Sequence, residues 1–250
     1  MLNAFFWGFI ATTSLILGGS IGSRFKIGRR TLGLVMAFGA GVLVIAVTYE
    51  LTYEALTLSK GSGIAVLGVL IGALTFFFSD MLISRMGAHG RKQIAGSHDS
   101  NLVVPIVLGT ILDGIPESIV IGMGLIGGGK VSLAMLVAVF ISNLPEAIAG
   151  TSGMVAGAWS RKKIQLLWLI IAIVCSLASL AGYGLFSNAS HLTIAFIQAF
   201  AGGAILVMLT NTMIPEAFEH GGKLAGIFTV LGFIGAVCVV LLENVATHIK

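Results

Sequence analysis

An all-α polytopic membrane protein is the fold class this sequence predicts, on three observations. First, 57% of its 250 residues are hydrophobic and only 10% are charged, where soluble domains carry roughly 25% charged residues; mean hydropathy is +1.05. A water-soluble enzyme of this length needs more charge to cover its surface, and a disordered chain has far less Leu, Ile and Val. Second, apolar runs long enough to cross a hydrocarbon core, about 20 residues, recur eight times, at 3–23, 31–57, 62–84, 101–126, 130–157, 164–187, 192–219 and 224–246. Third, the basic residues alternate between the connections. Arg24, Lys26, Arg29, Arg30, Arg85, Arg91, Lys92, Arg161, Lys162, Lys163 and Lys223 fall in the odd-numbered ones, while the other side holds Lys60, Lys130 and Lys250. A wrong number of spans would scramble that split. By the positive-inside rule it puts both termini outside a plasma or bacterial inner membrane, with the odd connections in the cytoplasm. Residues 1–250 then read as a single transmembrane domain embedded in lipid.

Each element follows from its own residues. Span one lacks the leading cationic segment and short apolar core of a cleaved signal, so it reads as a retained helix. Span two opens on Ala37-Phe38-Gly39-Ala40-Gly41 and carries Glu50 and Glu54 near its outer end. The longest polar connection, 85–100, joins spans three and four and contains His89 and His98; these either catch a metal ion or are incidental to a solvated basic loop. Cys175 in span six and Cys238 in span eight have no CxxC spacing and read as packing residues. Span seven opens on Ala199-Phe200-Ala201-Gly202-Gly203, and at a constant offset from span two Thr210 answers Thr48, Glu216 answers Glu54 and Ala217 answers Ala55. Ile234-Gly235-Ala236 answers Ile71-Gly72-Ala73 one residue out of register. Because spans two and seven run in opposite directions, helices 1–3 and 6–8 form a candidate inverted repeat around helices 4–5, an architecture secondary transporters use to reach two states. The alternative is chance likeness among helices rich in small residues.

The chemistry lies in ten acidic residues, each costing a few kcal/mol in hydrocarbon unless it faces protein or water. Three prolines are followed directly by glutamate inside apolar spans: Pro116-Glu117, Pro145-Glu146 and Pro215-Glu216. Proline has no amide hydrogen, so the carbonyls of Leu112, Ile141 and Asn211, one turn earlier, lose their helical partners. At membrane depth such a carbonyl needs protein, water or an ion. Asp113 and Glu117 lie four apart on one face of span four, and Ser142 and Glu146 repeat that spacing on span five, with Asn143 one turn from Glu146. The spans are antiparallel, so both sets fall near the midplane, where three carboxylates and an amide either bind a cation or share protons. A structural polar cluster is the bland alternative. Glu50 and Glu54 at one end, and Glu216, Glu219 and His220 at the other, are candidate approaches to such a site, or solvated interfacial acids. Asp80, Asp99 and Glu243 read as interfacial. There is no basic stripe with aromatic neighbours for nucleic acid, and no HExxH helix or nucleophile paired with a base for an enzyme. No cofactor is implied.

These residues resemble the ZIP (Zrt/Irt-like) family of divalent metal transporters, whose fourth span carries His-Asn-x-Pro-Glu and whose fifth carries His-Glu-x-Pro-His/Glu. The corresponding stretches here read Asp113-Gly114-Ile115-Pro116-Glu117 and Ser142-Asn143-Leu144-Pro145-Glu146. The resemblance covers the whole chain in span order. It implies eight spans with outward termini and a divalent metal ion as transported substrate. It also implies that spans one, four, five and six move as a unit, and it allows a homodimer. Glu117 and Glu146 take metal-binding positions of the family directly, and Asp113 takes that of a histidine. Gly114 stands where the family has asparagine, Ser142 where it has histidine or glutamine, and Asn143 where it has an acid, so neither motif retains a histidine. One oxygen-rich site of Asp113, Glu117, Asn143 and Glu146, with Ser142 weaker, is therefore expected. Such a site suits manganese, iron(II) or magnesium, and zinc remains a candidate because it too binds carboxylates. Transport toward the cytoplasm by alternating access is the leading expectation. A proton-coupled carrier of a small organic solute, with Glu117 and Glu146 as proton sites, and a non-transporting regulatory relative are the alternatives.

Overall fold

The computed structural model describes residues 1–85, 103–129 and 131–248. His89, His98, Asp99, Arg91, Lys92, Lys130 and Lys250 lie outside them. Eight helices are long and apolar enough to cross a membrane, and no strand occurs among the described residues: this is an all-α, multi-pass membrane protein. The helices are α1 (Leu2–Arg24), α2 (Arg29–Leu58), α3 (Ile64–Arg85), α4 (Val103–Met123), α5 (Leu133–Ala156), α6 (Arg161–Phe186), α7 (His191–Gly221) and α8 (Leu224–His248).

Their ends follow local chemistry that hydropathy does not register. Serine hydroxyls at Ser132, Ser160 and Ser190 accept hydrogen bonds from the amides of Met135, Lys163 and Thr193, each satisfying one of the donors a helix start leaves over. This sets the α5 start at Leu133 rather than 130, and the α6 start at Arg161 rather than 164. Between α4 and α5 the chain turns through Gly127 and Gly128 at φ of 68° and 80°, a left-handed conformation that glycine adopts without steric cost. Gly222, at φ 62°, ends α7 in the same way.

Packing repeats across the molecule. α2 lies against α8 and α7 against α3; α1 lies against α5 and α6 against α4. Exchanging helices 1–3 with 6–8, and 4 with 5, converts each contact in these two sets into the other, which is the pattern an inverted repeat requires. The close approaches repeat too. A Cβ on Gly72 would strike the carbonyl oxygen of Phe200, and one on Gly232 that of Phe38; a Cβ on Gly41 would strike Thr229 and one on Gly203 would strike Val69. The spatial counterpart of Gly72 is thus Gly232, one turn before the Gly235 that the sequence register suggests. A shift of three residues keeps the same helix face.

Both long repeat-related helices are interrupted at the same place. α2 opens into a π-helical stretch at Ala46–Tyr53 and α7 at Leu209–Met213. At each entry a threonine bonds back to its own helix: Thr48 Oγ1 donates to Val44 at 2.7 Å, and Thr210 Oγ1 to Leu206 at 3.0 Å. Such back-bonding bends helices. Pro215 follows the second stretch, but Tyr53 holds the equivalent position in the first, so proline does not account for both.

The core is built from α2, α5 and α7 with parts of α4, whereas α3 and α8 show large apolar side chains outward, among them Leu67, Leu70, Phe78, Ile227, Val230 and Leu241. Helices that apolar on their outer faces are stable only where hydrocarbon replaces water. Cys175 is buried in the core, as a packing residue should be, but Cys238 is exposed on α8. The expectation that both pack is corrected at Cys238, because a small apolar thiol on a lipid-facing surface needs no protein neighbour.

Candidate functional site

α4 and α5 keep Pro116 and Pro145 inside continuous helix and touch one another. Along them Asp113, Glu117, Ser142, Asn143 and Glu146 are all buried, none more than 4% exposed. Neither helix contains a Lys or Arg. Three carboxyl groups are therefore carried into the interior by the two helices whose own sequence supplies no counter-charge, an arrangement that hydrocarbon-embedded proteins keep for ion and proton pathways.

Cys175, from α6, ties the layer together. Its sulfur lies within hydrogen-bond reach of Ser118 and within electrostatic range of both Glu117 and Glu146. It also sits 2.7 Å from where a Cβ on Gly114 would be. The space an asparagine would occupy at position 114 is thus filled by sulfur from the neighbouring helix. Ser142 Oγ donates to the Val139 carbonyl at 3.1 Å, leaving only its lone pairs to face a ligand. The Asn143 side-chain nitrogen is buried with no hydrogen-bond partner. Among the described residues no three His, Cys, Asp or Glu side chains stand close enough together to cage a metal ion. The described carboxyl groups do not form a closed coordination shell.

Glu50 and Glu54 belong to a separate place. They line a cavity of about 480 Å3 together with Ser132, His191, Gln198 and the Gly124–Gly129 turn. Ser132 reaches the Glu50 carboxylate and Gln198 reaches that of Glu54. Its lining also includes apolar residues, Val120 and Ile121 from α4 and Met135 from α5. Ile121 stands one turn from Glu117 on the same helix face, about 6 Å along the axis. On α5, Met135, Val139, Ser142 and Glu146 follow one another at steps of four, three and four, which is one stripe. The cavity lining thus comes within one turn of Glu117 on α4, and about three turns short of Glu146 on α5.

The repeat-related acid behaves differently: Glu54 is exposed, Glu216 buried. Around Glu216 the chain is packed, and a Cβ on Gly33 of α2 would come within 2.7 Å of the Gly221 nitrogen and 2.8 Å of His220 Cβ. His220 Nδ1 is bonded to the Glu216 carbonyl at 3.0 Å, and Glu219 is exposed. Glu243 is more than an interfacial acid, since its carboxylate accepts the Leu133 amide at the start of α5 and lies within electrostatic range of Glu50. Sequence reasoning missed Ser132, His191 and Gln198. Gln198 carried a usable signal, as a lone amide early in an otherwise apolar span.

No protein-family profile matches the chain. The chain is similar to an Arabidopsis thaliana protein provisionally named as a zinc transporter, at 24% identity over 190 residues, which is 75% of this chain. It spans about 30% of the length of that curated relative.

Proposed function

We propose that this protein is a ZIP-like secondary transporter that carries a divalent metal cation across the membrane, toward the cytoplasm, through the acidic layer between α4 and α5. The observation that carries the reading is the burial of Asp113, Glu117 and Glu146, all at 4% exposure or less, on two membrane-spanning helices with no basic residue. Three like charges in one layer repel unless protons or a cation intervene. A divalent ion drawing them together would turn that repulsion into helix displacement, and binding is coupled to movement only through such a difference between states. Glu117 and Glu146 are the principal ligands, with Asp113 beside them and the Asn143 carbonyl oxygen as a neutral donor; Ser142 contributes a lone pair. The name of the Arabidopsis relative supports a metal, and among metals zinc, while the all-oxygen ligand set also suits manganese and iron(II).

The contrast between the cavity beside Glu54 and the packed surroundings of Glu216 supports a form open at the Glu54 end. The basic connections crowd the opposite end, which by the positive-inside rule is cytoplasmic, so Glu50 and Glu54 line the outer approach and Glu216 the inner one. Alternating access then exchanges the environments of Glu54 and Glu216 between two related halves.

Proteoliposomes exposed to Zn2+, Mn2+ and Fe2+ in turn test this. At least one ion should accumulate, and Glu117→Gln and Glu146→Gln should each lower its uptake about tenfold or more, the scale on which loss of a site group acts on metal affinity. Failure of all three ions to enter, or two variants transporting like the parent, would overturn the assignment.

A further inference from the structure

The cavity beside Glu54 is built as a site and not only as an opening. Gln198 is 6% exposed, lines the cavity wall and holds the Glu54 carboxylate, yet its amide oxygen has no hydrogen-bond partner. A buried acceptor left unsatisfied is destabilising, and a bound ion or its water relieves that cost. Glu50 and Glu54 put two carboxyl groups on the cavity walls. His191 adds a ring nitrogen at the rim. The size discriminates further. At about 30 Å3 per water, some 480 Å3 holds a cation with a complete inner hydration shell and several waters besides. A bare ion would leave most of it empty. Finally, Ile121 and Met135 give the lining an apolar part beside the two carboxylates, and a hydrated ion that leaves water for apolar surroundings has to shed its shell.

We propose that the chamber formed by Glu50, Glu54, Ser132, His191 and Gln198 is a second cation-binding site, which takes up a hydrated divalent cation on the outer side of Glu117, whose nearest cavity-lining neighbour on α4, Ile121, is one turn away. Glu50 and Glu54 hold the ion through its water, as small hard cations that dehydrate reluctantly are held. Ser132 and Gln198 fix the two carboxylates, and the Gln198 oxygen supplies a further acceptor to the water shell. The proposal deepens the transport reading by naming where the ion waits, but its binding test stands apart from transport.

The test is equilibrium Mn2+ binding to the full chain in lipid nanodiscs, with the ion's state read by electron paramagnetic resonance and its water protons by electron-nuclear double resonance. The parent should bind two ions and the Glu117→Gln/Glu146→Gln variant one, which keeps its water-proton couplings. Glu54→Gln/Gln198→Leu should lose that ion. As single changes, Gln198→Leu should weaken chamber binding about tenfold and Gln198→Glu should tighten it, opposite signs that misfolding cannot produce. If Glu54→Gln/Gln198→Leu binds as many ions as tightly as the parent, or the surviving ion has no water couplings, the chamber site is wrong. If the transport reading fails and this one holds, the Glu117→Gln/Glu146→Gln variant matches a parent that binds one ion, and Glu54→Gln/Gln198→Leu binds none.

Discussion

Gly114 and Cys175 show how a motif position can be decided from another helix. An asparagine at 114 could offer an oxygen to an ion; glycine offers none, and the Cys175 sulfur stands 2.7 Å from where its Cβ would begin. Either residue alone is unremarkable in a membrane helix, and only the pair makes physical sense. Gly114→Ala therefore overpacks a closed site, and overpacking costs about 1–3 kcal/mol. Cys175→Ala removes the sulfur and leaves a small void. Combined, the two changes should recover most of the loss, giving a coupling energy of roughly 1–2 kcal/mol. Thermal unfolding of the four proteins in detergent measures it; strictly additive losses would mean that the two residues do not share the space. The same thiol faces Ser118, Glu117 and Glu146, so a residue that looked like packing from sequence belongs to the acidic layer.

At the scale of helices, two devices position the site. One is close backbone approach. Gly41 and Gly203 carry no side chain where α2 meets α8 and α7 meets α3, because a Cβ would fall on a carbonyl oxygen of the partner, and in membranes this proximity is the main source of helix association. Gly41→Ala and Gly203→Ala should each lower stability by about 3 kcal/mol, at the upper end of overpacking costs. Gly226→Ala, on α8 with nothing within 4 Å, should be silent. Equal unfolding temperatures for all three would remove backbone approach as the reason for these glycines. The second device is the paired π-helical stretch, entered at Thr48 in α2 and Thr210 in α7. π-bulges concentrate at functional sites, and here the first ends next to Glu54 and the second three residues before Glu216, the two acids we propose line the approaches. Thr48→Val and Thr210→Val keep shape while removing the back-bond. Circular dichroism should be unchanged and metal uptake should fall several-fold; unaltered uptake in both would leave the threonines a purely local role.

For the whole molecule the charge split becomes a statement about sides. Lys60 and Lys163 are both exposed, at opposite ends of the bundle. In a Cys238→Ser background, with Cys175 buried, Lys60→Cys should react with a membrane-impermeant maleimide on intact cells, and Lys163→Cys only after permeabilisation. The reverse pattern would invert the orientation and with it the direction of transport we propose.

The number of spans, their order and the repeated halves were legible in the linear chain because they rest on quantities that add along it: twenty apolar residues cross a bilayer whatever their neighbours, and a basic connection resists translocation wherever it occurs. The acidic residues of α4 and α5 were legible for a related reason, since a carboxylate beside a proline inside a span is costly enough to be conspicuous. Helix ends were less so, because Ser132, Ser160 and Ser190 act through single hydrogen bonds to amides three residues on, which hydropathy does not see. What only the tertiary structure decided is which surfaces meet. Cys175 filling the place of a side chain at 114, Gln198 holding Glu54, Glu243 receiving the Leu133 amide and the asymmetry between exposed Glu54 and buried Glu216 all join residues from different helices, or related residues in different surroundings. Sequence states how costly each polar group is in lipid; the partner that relieves the cost is set by packing between helices, which no spacing along one chain determines.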